Sequence, residues 1–493
     1  LFQGNSAMYG GAIYNALNAD LKLSKSNFTS NSGTNGGAIY NAGYIITYDK
    51  KKNVTGGINS TKFSYNSATI GGALFSAEKG CVGVSKSSFS YNNAKQGGAI
   101  YNKGSLTTIS STFAGNTATE DGGAVYNDGI LKDSKSTYKS NNSVNGGAIY
   151  GTNSGMMVIS SSVFQSNSAI NGGAIYIDGF KDVQYKPTGY QGNQIIGATF
   201  KNNTAQNGGA IYVGNYSELY IQDTSFTNNI ANIAGGAIFA DEYSLIYIAA
   251  VKKNVTFSGN KAGGKSNAIH LAKGAVLNLG ANKGKNITIK DKVTMEDGAV
   301  INKYGAGKIS IVNEGDLRGA NFTINNTGDL NMANGVIGTL FFGTLKLATG
   351  TTTYVSLDAD IKSKTVDKIQ AAEVVGSGSM ALSKLNLVSN SKTPVDITIA
   401  DKDSVIGSVT TNKAESAEAT YKLKTYYDEN GLLRARITGQ RAKSSAVAAP
   451  VAAQIGGYLA QINSYDQAFA NLDMDASDTN SFFDKAFEEI SST

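Results

Sequence analysis

One histidine, one cysteine and a scatter of carboxylates are all that this 493-residue chain offers to covalent or acid-base chemistry. With His270 the sole imidazole and Cys81 the sole thiol, no Ser-His-Asp triad, Cys-His pair or zinc-ligand set can be assembled. His270 also follows Ala268 and Ile269, at the place where other parts of the chain put Tyr after Ala-Ile, which argues for a structural ring rather than a base. Carboxylate chemistry remains: glycoside cleavage runs on a pair of Asp or Glu, or on carboxylate-bound calcium with a basic residue as proton acceptor. Over the first half of the chain the acids include Asp121, Asp128, Asp133, Asp178, Asp182, Glu218 and Asp223, and there is no Arg. Asp178 with Asp182 is the best pair, Asp358 with Asp360 the next, and both are expected to serve turns or face water. The expectation is therefore no catalytic, metal-binding or cofactor-binding residues, and no cofactor.

The elements that would carry any site are set by a repeat. Gly-Gly followed by Ala and an apolar residue recurs at Gly10, Gly36, Gly71, Gly97, Gly122, Gly146, Gly172, Gly208 and Gly235. Eight or nine residues upstream of each pair stands an aromatic with Asn three residues after it, as in FTSN from Phe28 and FSYN from Phe63. The opening LFQGN looks like the scar of a protease site, yet Phe2 precedes Gly10 by the same eight residues as Phe28 precedes Gly36. It belongs to the repeat, and the chain is read as beginning in mid-coil, with the full protein starting upstream. Successive Gly pairs lie 24 to 27 residues apart, except for 35 after Gly36 and 36 after Gly172. A helical repeat is excluded, because Gly, Ser, Thr and Asn are poor helix formers and the apolar spacing is two rather than 3.6.

A period of ~26 residues with two-residue alternation fits one coil of a solenoid, so the fold is expected to be all-β, a right-handed parallel β-helix. Stacking turns each repeat position into a column. Ile13, Ile39, Leu74, Ile100, Val125, Ile149, Ile175, Ile211, Ile238 and Ile269 should form one buried column, and the series from Phe28 to Phe257 another. Asn31, Asn66, Asn92 and their equivalents should form an amide ladder at a corner, and Gly-Gly should mark the opposite bend. The rings from Tyr14 through Tyr40, Phe75, Tyr101, Tyr126, Tyr150, Tyr176 and Tyr212 to Phe239 alternate with the Ile column, so they should face outward, either as a contact surface or, the favoured reading, as rings that suit a strand surface and stack on one another. The two long spacings are inserts, after Tyr40 and after Tyr176, which should leave one side of the rod five coils apart, there either offering Lys50, Lys51, Lys52, Tyr185 and Tyr190 to an anionic or sugar ligand or standing as neutral surface insertions.

Alternating FxxN and GGA[ILV] over residues 2 to 270 resembles the polymorphic outer-membrane-protein repeats of type V autotransporter passengers. The segment Thr351 to Val388 is similar to the C-terminal part of pertactin-like passengers, which caps the β-helix and assists folding in that family. Ala448 to Met474 is similar to the linker that joins such passengers to their barrel. The resemblance implies a bacterial cell-surface or outer-membrane location, with the passenger exposed or released, an adhesin role and an outer-membrane barrel in the full-length protein. Beyond Met474 the sequence does not enter alternating barrel strands.

The resulting division is regular repeats over 1–271, an irregular continuation over 272–350, a capping segment over 351–440, and a linker with a short helical tail over 441–493. A net charge of +6 carried almost wholly by Lys, with Arg only at 318, 434, 436 and 441, reads as a mildly cationic surface and not as a nucleic-acid groove. The expected partner is a host surface or matrix glycan or protein, or another copy of the chain. The expected function is non-enzymatic adhesion or self-association, with a polysaccharide-active enzyme or a passive spacer as alternatives.

Overall fold

The chain folds as a parallel β-solenoid of about 15 turns, seen in a computed structural model that describes residues 1–442 except 51–53, 183, 185–191, 306, 312–315, 325–328, 334 and 390–392. The expected helical tail lies outside the described residues, and among these no helix is long and apolar enough to cross a membrane. Phe2 pairs with Phe28 and Phe28 with Phe63, in parallel and without a shift, as the equal spacing of aromatic and Gly-Gly requires. Each coil as far as Val293–Met295 contributes one strand to each of three long sheets, and beyond it two of the sheets continue. An aromatic sheet carries the Phe series; a lateral sheet contains the rungs Ile58, Val84 and Thr108; a glycine sheet contains Ile39, Leu74 and Ile100. Short strands such as Ser32–Asn35 and Ser67–Ile70 lie just before the Gly-Gly bend.

Both predicted apolar columns are inside. Phe28, Phe63, Phe89, Phe113, Phe164, Phe200, Phe226 and Phe257 are fully buried, as are Ile39, Leu74, Ile100 and their successors. Neighbouring Phe rings stack at 4.5 to 5.0 Å between centroids, the separation that offset aromatic stacking favours. At the Gly-Gly bend the two residues do different work. Gly36 sits at φ +72°, which L side chains avoid, while a Cβ on Gly37 would lie 2.2 Å from the carbonyl oxygen of Gly72 one coil away.

The Asn ladder runs with one polarity from end to end. In Asn116, Nδ2 donates to the carbonyl of Phe89 at 2.9 Å and to Oδ1 of Asn141 at 2.9 Å, while Oδ1 accepts from the backbone N and Nδ2 of Asn92 at 3.0 and 2.9 Å. Every hydrogen-bonding capacity of that buried amide is used. The pattern repeats from Asn5 to Asn260, where the onward acceptor is Asp291: Oδ2 receives Nδ2 of Asn260 at 2.7 Å. A carboxylate suits that last rung because it accepts without having a donor to hand on. A second ladder, of hydroxyls, stands two residues before most of the aromatics, from Ser26 to Ser162 and again at Thr224, with Ala198 before Phe200 interrupting it. There the backbone N of Thr61 donates to Ser87 Oγ (3.1 Å), that of Ser87 to Ser111 Oγ (3.3 Å) and that of Ser136 to Ser162 Oγ (3.1 Å).

The inward column of the lateral sheet carries a buried carboxylate. The lateral strand Ile130–Ser134 turns Asp133 inward, in register with Thr108 and Ile159, and only 2% of it is exposed. Thr108 Oγ1 donates to Oδ1, Ser162 Oγ donates to Oδ2 at 2.5 Å, and burial pushes the carboxyl above its ordinary range. Tyr138, the one tyrosine in the Phe stack, is fully buried nearby, and its hydroxyl is pushed up by burial and by the Asp133 charge.

Beyond His270 the coils continue in register, with Leu277 over Ile246 and Ile301 over Leu277, and parallel pairing runs on to Lys368–Val375. The described chain ends in antiparallel strands Val395–Ala400, Ala419–Tyr427 and Leu433–Ala442, which pair with one another. Arg441 and Ala442, expected in the linker, belong to that last strand because they pair with Thr420 and Ala419.

Two stability measurements follow from these ladders. Asn116→Leu removes four buried hydrogen bonds, those received from the backbone N and Nδ2 of Asn92 and those given to Phe89 O and Asn141 Oδ1, and leaves the backbone N of Asn92 without its side-chain acceptor, so chemical denaturation should show a loss of roughly 3 kcal/mol or more. Since burial raises the Asp133 pKa, its contribution is fully present below the unfolded carboxyl value of about 3.9 and is lost as pH rises through the folded value. Asp133→Asn should match the parent near pH 3 and exceed it by about 1–3 kcal/mol at neutral pH; a constant gap across that range would disprove the buried-carboxyl explanation.

Candidate functional site

The catalytic candidates occupy structural posts. His270 is the last rung of the outer aromatic column, stacked on Phe239 at 5.0 Å, with Nδ1 3.0 Å from Thr294 Oγ1 and Nε2 3.5 Å from Glu296. Burial lowers its pKa and the Glu296 charge opposes that. Asp178 accepts the backbone N of Gly179 at 2.9 Å and thereby holds its own turn. Asp358 is buried and accepts Asn386 Nδ2 together with the backbone N of Gly335 at 2.5 Å. Asp360 accepts Ser389 Oγ and the backbone N of Lys362, and these bonds hold its carboxyl down to about 2. Asp223 likewise gathers the backbone N of Val251, Lys252 and Lys253, at 2.7 to 3.0 Å. Among the described residues no three His, Cys, Asp or Glu side chains are grouped to hold a metal.

The Tyr column is continuous, with centroids 4.6 to 5.3 Å apart from Tyr14 to His270. It is not the open contact surface that alternation suggests. Tyr14 is 57% exposed, but Phe75, Tyr101 and Tyr150 are 5, 7 and 9% exposed. Stacked rings cover each other's faces, so only edges and hydroxyls reach outward. Those hydroxyls meet carboxylates: Tyr212 donates to Asp241, and burial with the Asp128 charge pushes Tyr101 up to about 12.

What remains open is the outer face of the lateral sheet. Rungs Ile58, Val84, Thr108, Asp133, Ile159 and Ile195 succeed one another, so the lateral strands on which the chain resumes after the two inserts stand five coils apart, the expected separation. The first insert interrupts a single lateral strand. Tyr44–Ile45 pairs with Cys81 and Val82, the chain leaves as an antiparallel hairpin of Thr47–Tyr48 against Val54–Gly56, and Ile58–Asn59 resumes the rung opposite Val84 and Ser85. Beside the hairpin is a shallow pocket of about 490 Å³ lined by Lys22, Ser24, Thr47, Thr55, Asn59, Ser85, Lys86 and Ser110 among others. Lys50 is exposed on the hairpin; Lys51, Lys52, Tyr185 and Tyr190 lie outside the described residues.

The second insert begins at the turn before its lateral strand and is anchored by Phe180, buried to 4% exposure, whose backbone N donates to Asn215 O at 2.8 Å. Where it rejoins the rod, Gly192 lies against the Tyr220 ring, which a Cβ there would approach to 2.8 Å. A second shallow pocket of about 500 Å³ follows, lined by Gln194, Ile196, Tyr220, Ile221, Gln222, Tyr247 and Ala249. Tyr220 and Tyr247 stack at 4.5 Å, and Tyr220 donates to Glu218 at 3.2 Å. Neither ring was singled out from the sequence. The available signal was the outward phase of Tyr220 and Tyr247 at one register position in consecutive coils.

Searched against curated proteins, the chain returns no match. The family model of the Chlamydia polymorphic membrane protein repeat matches six segments, residues 1–16, 86–103, 110–128, 161–178, 197–214 and 223–241. Each holds an aromatic rung, its Asn and the Gly-Gly bend that follows, which are the units of the solenoid. Six segments of the β-solenoid thus match the polymorphic membrane protein repeat, and repeat and solenoid together fit an autotransporter passenger.

Proposed function

We propose that the chain is a surface-exposed, non-enzymatic passenger that acts by adhesion or self-association through the outer face of its lateral sheet. The observation that carries this reading is that the hairpin of the first insert and two shallow pockets share that one face of a stacked scaffold, the second pocket beginning where the chain resumes after the second insert. Loops held by a rigid scaffold are the usual carriers of recognition. The family relation supports a location at the outer membrane or cell surface, where such a face meets a host surface, a matrix glycan or protein, or another copy of the chain. Asp178, Asp223 and Asp360, among the carboxylates that a polysaccharide-cleaving enzyme could use, are bound to backbone N–H groups, which supports binding without cleavage.

Cells displaying the full chain should adhere or clump, and a variant joining Ile45 to Ile58 and shortening 178–192 to a normal turn should do so markedly less while melting at the same temperature. Unchanged adhesion would move the function to the Tyr column or to a spacer. Purified chain incubated with polysaccharides, with and without calcium, should release no reducing or unsaturated ends. Release abolished by Asp178→Ala would establish the enzymatic alternative.

A further inference from the structure

The positive charge of this protein is concentrated at one end. Residues 1–110 hold ten lysines against three carboxylates, Asp20, Asp49 and Glu78, a net of +7; since the whole chain nets +6, the remaining 383 residues net −1. The fold sorts part of this charge onto the lateral sheet. Register places Lys25, Ser60, Lys86, Ser110 and Lys135 one above another at the corner that follows the lateral strand, all with φ between 47° and 55°. Lysine therefore returns at every second rung, ~9.6 Å apart for a coil spacing of ~4.8 Å, with a hydroxyl between. Lys22 and Lys132 project from the neighbouring outward column of the same face, and all five lysines are exposed.

No carboxylate opposes them from the described lateral strands, although Asp49 stands exposed on the hairpin. In the strands Leu23–Ser24, Ile58–Asn59, Cys81–Ser85, Ser105–Ile109 and Ile130–Ser134 the only acid is Asp133, which points into the core. Asp20 stands at the opposite edge of the first rung, beside Tyr44. The pocket beside the hairpin joins Lys22 and Lys86 to the side chains of Ser24, Thr55, Asn59 and Ser110.

We infer that this face is a binding track for a linear anionic polysaccharide, laid along the rod axis with its charged groups on the lysine row and its sugar hydroxyls against the Ser, Thr and Asn side chains. A recurring cation spacing suits a polymer with recurring anions, and hydroxyls and an amide suit the polyol between them. Nucleic acid fits less well: the chain has no arginine before Arg318, and the pocket holds no aromatic ring on which a base could stack. A flat bilayer suits this face poorly, because the hairpin lies over the lateral sheet as a ridge, with Val54 Cγ1 2.8 Å from where a Cβ on Gly83 would sit. The inference rests on the adhesive reading for its biological setting only, since binding is measured on the purified chain.

The test titrates the full chain with a fluorescent heparin decasaccharide, a hyaluronan decasaccharide and neutral dextran at 50 and 150 mM NaCl. The variant Lys22→Gln/Lys25→Ser/Lys86→Ser uses at the corner the residue already present at Ser60 and Ser110, so the fold tolerates it. Lys261→Gln/Lys265→Gln, on a different sheet, is the control. The expected result is salt-sensitive binding of at least one anionic glycan, none of dextran, a roughly tenfold or greater loss in the triple variant and none in the control. Preference for heparin or for hyaluronan identifies sulfate or carboxylate as the anion. Absence of binding to both, equal loss in the control, or equally effective displacement by a single-stranded 20-nucleotide DNA would overturn the inference. The two readings separate cleanly. Adhesion lost on insert deletion, with no anionic glycan bound by the parent, removes the polysaccharide track alone; glycan binding lost in a triple variant that still adheres keeps the track and moves adhesion elsewhere.

Discussion

Parallel, in-register stacking obliges every residue to sit beside its counterpart one coil away, and nearly everything else in this protein follows from that obligation. A position can be repeated only if its side chain is compatible with a copy of itself at ~4.8 Å. Phenylalanine stacks on itself, asparagine both donates to and accepts from itself, and serine accepts a backbone N–H while donating within its own turn. Like charges repel at that distance, which gives a physical reason for lysine and serine to alternate along the corner and for carboxylates never to form a column. The single polarity of the asparagine ladder has the same origin, because each amide must hand a donor onward until a carboxylate ends the series.

The same constraint explains how the rod tolerates inserts. Ile58 regains the rung defined by Leu23 and Val84 even though a hairpin has left the strand in between, because register is re-imposed from the coils on both sides. Extra residues are thereby expelled outward, onto the sheet where the strand was interrupted. Binding features accumulate there without disturbing the core, and the lateral face acquires a hydroxyl- and lysine-lined pocket at one insert and an aromatic, amide-lined pocket at the other.

Asp133 and Lys303 show the limits of this regularity. Both occupy the inward column of the lateral sheet, where isoleucine, valine and leucine are usual, and both are essentially buried. Asp133 is accommodated by drawing hydroxyls from the coils before and after it into one cluster, so a polar side chain in the core acts on three rungs at once. Such a cluster rewards one register and no other, since a slip by one residue would turn the carboxyl outward.

The phenylalanine and isoleucine columns, the asparagine corner and the Gly-Gly bend were legible from spacing alone, because a column's identity is written nine or ten times at constant phase. The hydroxyl ladder was less visible: serine and threonine are so common here that one more recurring position does not stand out. Asp133 looked like any other acid, since its inward direction depends on the parity of one strand. Which outward residues are truly available was also beyond the sequence. Alternation predicted an open tyrosine column, but stacking and neighbouring turns cover most of it, whereas Tyr220 and Tyr247 line an open pocket. Periodicity determines what lies above what, because stacking is one-dimensional and local. Exposure, pockets and the gathering of lysines from distant coils onto one face depend on how the coil closes around its core, and only the tertiary structure decides that.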